Sequence, residues 1–261
     1  MRNEILSGLE KIAKERNVKV LFACESGSRA WGTESDDSDY DVRFIYVSPV
    51  DTYVSLTESR DTIEVMDKDL NIDYVGWDLK KALNLLKKSN PSIIEWFDSP
   101  IQYVNEDWFR QEVSGIVMKS GGPNMKSLAY HYMGLLDRQY KAYWNKEEIP
   151  FKKYFYAIRP IFAIEFIDQW RKVPPINFAE LTMSSFIPEY ASAEFHELKR
   201  MKTITTEIDG KGRFDNLDNF ITEKTSEMPE FIKKSLEDYS VPSMASSELD
   251  EFFRKVVLMG V

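Results

Sequence analysis

Three aspartates, Asp39, Asp41 and Asp73, and the Gly27-Ser28 pair upstream of them are the residues of this 261-residue chain whose types and spacing could do chemistry. Carboxylates at alternate positions of an extended strand share one face and repel each other unless a cation sits between them. Oxygen-only ligands suit a hard divalent cation, so Asp39 and Asp41 read as ligands for Mg2+ or Mn2+. A Gly-Ser turn after a strand offers backbone N–H groups and a hydroxyl to phosphate oxygens, with Arg29 immediately behind it. Together these residues describe a site for a nucleoside triphosphate and a divalent metal.

Strands and turns must position them. Val18 to Glu25 is a mostly apolar run that stops at Ser26-Gly27-Ser28, and Arg29 to Thr33 gives a short helical start. After the polar loop Glu34 to Ser38 comes a strand from Asp39 to Val47, whose polar and apolar residues alternate through Phe44. Asp39, Asp41 and Arg43 fall on one face of it, and Tyr40, Val42 and Phe44 on the other. In Leu70 to Trp77 the residues Ile72 and Tyr74 face one way and Asp73 the other, which supplies a third carboxylate. Asp61, Glu64 and Asp78 stay open as alternatives for that third position.

Gly27-Ser28, ten intervening residues and Asp39-Tyr40-Asp41-Val42 resemble the signature of the DNA polymerase β-type nucleotidyltransferase superfamily. The longer stretches Glu25 to Gly32, Ser38 to Tyr46, Asp73 to Lys81 and Ser89 to Trp96 are similar to a narrower group, the YcgL-type nucleotidyltransferases, some of which are linked to RNA repair. Tyr154 to Pro160 resembles a segment in the second half of that group. The resemblance implies in-line attack of an acceptor hydroxyl on the α-phosphate of a nucleoside triphosphate, with release of pyrophosphate. Asp39, Asp41 and Asp73 would be the catalytic, metal-holding residues. The acceptor would be an RNA end, a protein side chain or a small molecule.

Composition sets the outer bounds. Hydrophobic residues make up 43% and aromatics 13%, enough for packed cores, and no apolar run approaches the ~20 residues that cross a membrane. With no signal-like N-terminus, a cytoplasmic protein without a membrane partner is expected. A net charge of −9 argues against nonspecific coating of nucleic acid. The single cysteine, Cys24, reads as a small core residue, and the two histidines, His131 and His196, have no partner spacing that suggests a triad or a zinc site.

Helices are expected at Asn3 to Arg16, from an Asp78 N-cap to Lys88, around Ile93 to Phe97, and over Asp107 to Lys119. Beyond the punctuation at Ser120-Gly121-Gly122-Pro123 the periodicity is helical throughout: Met125 to Trp144, Lys152 to Arg171, Tyr190 to Ile208, Lys224 to Asp238 and Ser247 to Leu258. The expected fold class is α+β. Residues 1–120 form a small mixed-sheet nucleotidyltransferase domain with helices on one side and carboxylates on the other, and residues 121–261 a helical domain closing the cleft. On the first turns of the helix from Lys152, the residues Lys153, Tyr156 and Arg159 are candidates for holding the nucleotide, Arg159 by charge and Tyr156 by stacking. A second reading keeps the fold but not the catalysis: a nucleotide-binding regulatory or antitoxin-like partner protein.

Overall fold

Ile5, Leu9 and Ile12 give the first helix, α1 (Arg2–Arg16), a single apolar stripe, and all three are buried against the sheet that follows. The structure is a computed structural model and describes residues 1–261 except 36, 184, 186, 205–209, 240–245 and 261. Two compact units emerge: Met1–Ala30 with Asp39–Asn124 and Val241–Val261, and Trp31–Ser38 with Met125–Ser240.

The first unit continues with β1 (Lys19–Glu25), α2 (Gly27–Trp31), β2 (Tyr40–Val47), α3 (Val50–Tyr53), β3 (Thr62–Asp67), β4 (Ile72–Asp78), α4 (Leu79–Lys87), α5 (Pro91–Asp98), β5 (Gln102–Asn105) and α6 (Asp107–Lys119). The strands form one mixed sheet in the order β3-β4-β2-β1-β5. Only β2 and β4 run parallel. Asp78 caps α4, as its position suggested, by accepting the Lys80 N–H at 2.8 Å, and Asn90 with Pro91 opens α5.

Even-numbered residues of β2 (Val42, Phe44, Tyr46) join Ala23, Ile72 and Tyr74 beneath α1. Burying each large apolar side chain there contributes ~1.5–3 kcal/mol. The odd face is covered as well. Ile45 is in register with Phe22 and Trp77, whose rings meet Phe97 at 5.2 Å and Trp96 at 3.9 Å on α5. Helices on one side only was therefore the wrong expectation. The reason is visible in β2, whose residues from Phe44 to Val47 are all buried, so alternation gives way to two-sided burial where the carboxylates end.

The second unit holds α7 (Met125–Tyr143), β6 (Ile149–Pro150), α8 (Phe151–Trp170), α9 (Phe178–Met183), α10 (Glu189–Ile204), β7 (Lys211–Gly212) and α11 (Asp215–Ser235). Phe162, Phe178 and Phe195 meet in its core. The end of the expected 190–208 helix lies outside the described residues beyond 204. α11 starts nine residues before Lys224, where sequence placed it, because Glu194 of α10 accepts the N–H groups of Asn216 and Leu217 at 2.8 and 2.9 Å. A cap donated from another helix leaves no local signal.

The last helix, α12 (Ser246–Leu258), returns to the first unit: Phe252 lies 5.7 Å from Phe109 of α6, and Phe253 lies 5.2 Å from Tyr53 of α3. The sequence punctuation at 120–123 falls just before the division at Asn124, and the segment Trp31–Ser38 is grouped with the second unit. Among the described residues, no helix is long and apolar enough to cross a membrane.

Candidate active site

At the end of β1 the backbone turns under Asp41. Ser26 N–H donates to the Asp41 carbonyl at 2.9 Å, and Gly27 takes a left-handed φ of 62°. Beneath this junction lies Glu25, which is fully buried. One of its carboxylate oxygens accepts the Asp41 N–H at 2.7 Å and the other accepts the Tyr103 hydroxyl. Burial pushes the Glu25 carboxyl up to about 6, with the bonds from Tyr103 and Asp41 opposing the rise.

The parallel register sets Asp73 of β4 directly beside Asp41 of β2. Both carboxylates converge on one atom: Arg43 Nη2 lies 2.7 Å from Asp41 Oδ1 and 3.0 Å from Asp73 Oδ2. Burial raises the Asp41 carboxyl above its ordinary value, the Arg43 cation pulls it down, and the like charges of Asp73 and Asp39 push it up again. Asp39 stands one residue before β2, exposed, and its carboxylate accepts the side-chain amide of Asn71. Asn71 itself holds φ 54° and accepts the Tyr40 N–H through its carbonyl at 3.0 Å.

The alternatives for the third carboxylate have other work. Asp61 pairs with Lys81 at 2.9 Å, Glu64 is exposed on the edge strand β3, and Asp78 caps α4 while accepting the Tyr53 hydroxyl at 2.7 Å. Asp73 is the one that register brings to Asp41.

For a hard divalent ion the donor chemistry fits: carboxylate oxygens from two adjacent strands, with two of the groups close enough to hold one cation in common. In the present side-chain arrangement that common cation is a guanidinium. The Asp39 carboxylate is turned to Asn71, and among the described residues no three His, Cys, Asp or Glu side chains are gathered around one point.

Arg29, behind the turn, donates from Nε to the Asp39 carbonyl at 3.2 Å, and its guanidinium lies 3.9 Å from the centre of the Tyr40 ring. It ties α2 to the start of the acidic strand. Ser28 is the second residue of α2 and is half-buried.

The candidates on α8 occupy a ladder of cations and rings inside the second unit. Lys153 Nζ sits 5.0 Å from the Tyr143 ring and 5.1 Å from the Tyr156 ring, Tyr156 meets Trp31 at 5.0 Å, and the Arg159 guanidinium lies 4.6 Å over Trp31. Lys153 and Tyr156 are half-buried, but Arg159 is 3% exposed and donates to the Ile176 carbonyl at 3.5 Å. Glu165 pairs with Lys224 and Asp168 with Arg171. Phe155 and Phe162 of the same helix are core residues, as is Tyr154, which is fully buried and bonded to Asp218 at 2.9 Å.

Sequence reasoning missed the roles of Arg43, Asn71, Glu25 and Trp31. Arg43 did carry a signal, since it shares the strand face of the two acids. The other three are defined by partners elsewhere in the chain.

A sequence model described as RNA repair pathway DNA polymerase beta family matches residues 1–255. The chain is 37% identical over 234 residues to the uncharacterized protein YcgL of Bacillus subtilis (strain 168), covering 90% of this chain and 89% of that one. Among solved structures, it is similar to a nucleotidyltransferase-like protein from Exiguobacterium sibiricum 255-15 at 10% identity and a TM-score of 0.33, over 98% of this chain and 80% of that one.

Proposed function

The chain belongs to the RNA repair pathway DNA polymerase beta family, and from that premise we propose that it transfers a nucleoside monophosphate from a nucleoside triphosphate to a hydroxyl at an RNA end. The observation that carries this reading is the register pairing of Asp41 with Asp73, set against the left-handed Gly27 turn. In the reaction the acceptor oxygen bonds to the α-phosphorus, the bond to the β-phosphate oxygen breaks, and pyrophosphate leaves. The acceptor's proton passes to the Asp73 carboxylate.

Asp41 and Asp73, with Asp39 beside them, would hold Mg2+ or Mn2+. When bound, the metal supplies positive charge against the triphosphate and lowers the pKa of an attached hydroxyl. Gly27, beside Asp41, and Arg29, bonded to the Asp39 carbonyl, would line the phosphate side with Ser28 between them in the chain. Within the second unit, Lys146, Tyr143, Lys153 and Tyr156 alternate cations with ring faces, a combination that suits single-stranded nucleic acid.

One observation favours the regulatory, weakly catalytic reading: the acid pair already has a cation, Arg43. Incubation of the protein with α-labelled triphosphates, Mg2+ and a panel of oligoribonucleotides with different end chemistries separates the two. Label transferred to an RNA end with release of pyrophosphate, lost in Asp41→Asn, is the expected result. Tight triphosphate binding without transfer to RNA, protein or small hydroxyl acceptors would leave the regulatory reading standing.

A further inference from the structure

Arg43 is held at the carboxylate pair by more than the pair itself. Nη2 donates to Asp41 Oδ1 at 2.7 Å and forms an ion pair with Asp73 Oδ2 at 3.0 Å, while Nη1 donates to the Asp73 carbonyl at 2.9 Å and the Val42 carbonyl at 3.3 Å. The side chain is 17% exposed, against 26% for Asp41 and 36% for Asp73. A guanidinium does not lose its charge in a protein, so this cation can be displaced from the acids but not titrated away. Without it two like charges would face each other at adjacent register positions and repel.

We infer that Arg43 is a resident counter-cation: it occupies the Asp41–Asp73 pair in the metal-free protein, and a divalent metal enters by exchanging with its guanidinium. The inference rests on the reading of Asp41 and Asp73 as metal ligands and adds what sets their affinity. Metal binding here is an exchange of one cation for another, so the protein binds free metal more weakly than its carboxylates alone would. The same exchange keeps the metal-free site assembled, because the pair is never left without a positive partner.

Mn2+ titration of the full chain at pH 7.5, read by the loss of the free-ion paramagnetic resonance signal, tests this with no turnover involved. Arg43→Gln is expected to bind Mn2+ at least roughly tenfold more tightly than the wild type, to melt earlier without metal, and to gain more degrees on adding Mn2+. A folded Arg43→Gln that binds Mn2+ no more tightly than the wild type overturns the exchange. If that variant does not fold, the wild type still decides: on adding Mg2+ the Arg43 guanidinium resonance should move and its protons exchange faster, whereas an unmoved Arg43 alongside shifted Asp41 and Asp73 carboxyl signals sinks the inference. Wild-type protein that takes up no Mn2+ even with a triphosphate present removes the metal reading itself, and the exchange with it.

Discussion

A β-carbon at Gly27 would lie 2.1 Å from Asp41 Oδ2, and the glycine already holds a left-handed φ of 62°. The turn after β1 and the first acid of β2 therefore share one surface. Gly27→Ala must both adopt a conformation costing ~1–2 kcal/mol for an L-residue and push the carboxylate aside. We expect lower thermal stability together with weakened Mn2+ binding, measured on the same sample. An alanine variant unchanged in both properties would show that the contact is relieved at no cost to the site.

Asp41→Asn and Asp73→Asn should each lower transfer by more than about a hundredfold, beyond the 10–100-fold typical of residues that only orient a ligand. Folding should survive, because Arg43 keeps one carboxylate partner in either variant. Single-turnover rates and melting curves read the two effects separately. Wild-type rates in either variant in Mg2+ place the metal elsewhere.

Asn71 holds the carboxylate of Asp39, so removing its side chain should lower metal affinity or rate by roughly 10–100-fold. Its φ of 54° makes alanine a poor probe, because strain would be added to the loss of the amide. Asn71→Gly keeps the backbone free to hold that angle. If Asn71→Gly binds metal and turns over like the wild type, Asp39 needs no such support.

Asp78 tests the electrostatics of the sheet unit away from the acid pair. Burial pushes its carboxyl above the ordinary value, while the Tyr53 hydroxyl and the Lys80 N–H restrain it. A folded value above the unfolded one means the proton favours the native state: this contribution is fully present below the unfolded value and is lost as pH rises through the folded one. Relative to Asp78→Asn, the wild type should therefore gain stability on acidification from pH 7 to pH 4. Asp78→Ala should cost ~1–2 kcal/mol as a lost helix cap. Urea melts across that range supply the measurement, and a wild type that loses ground to Asp78→Asn on acidification would reverse the sign.

Arg159, almost fully buried over Trp31, should behave as an architectural residue. Arg159→Gln is expected to lose up to ~2 kcal/mol of stability from the desolvated cation–ring contact. Triphosphate affinity in Arg159→Gln should keep its wild-type dependence on salt. A loss of that dependence with unchanged melting would instead make Arg159 a phosphate contact.

What could be read from sequence was what is encoded within a few residues. The alternation of Asp41 and Arg43 put them on one face of β2, with Asp39 left one residue before the strand, Asp78 announced α4, and the stripe of Ile5, Leu9 and Ile12 announced α1. The pairing of Asp41 with Asp73 needed the strand order, and the occupation of that pair by Arg43 needed the side-chain geometry. Glu25 looked like the polar end of a strand, yet it is buried because Tyr103, from the unrecognised strand β5, reaches it. The spacing of Lys152, Tyr156 and Arg159 put them on one helix face, but the contact of Arg159 with Trp31 reaches more than a hundred residues back.

The return of α12 to α3 and α6 has a consequence for synthesis on the ribosome. Chains emerge N-terminus first, and most domains fold in that order. Here the sheet unit holds both the first strands made and α12, which is made after every residue of the helical unit, with Phe252 and Phe253 closing over Phe109 and Tyr53. The helical unit, all of whose residues precede α12, can complete its contacts while the sheet unit still lacks its final helix. A nascent chain stalled before Ser246 would thus carry the acid pair on a scaffold that still lacks the helix packed against Phe109 and Tyr53.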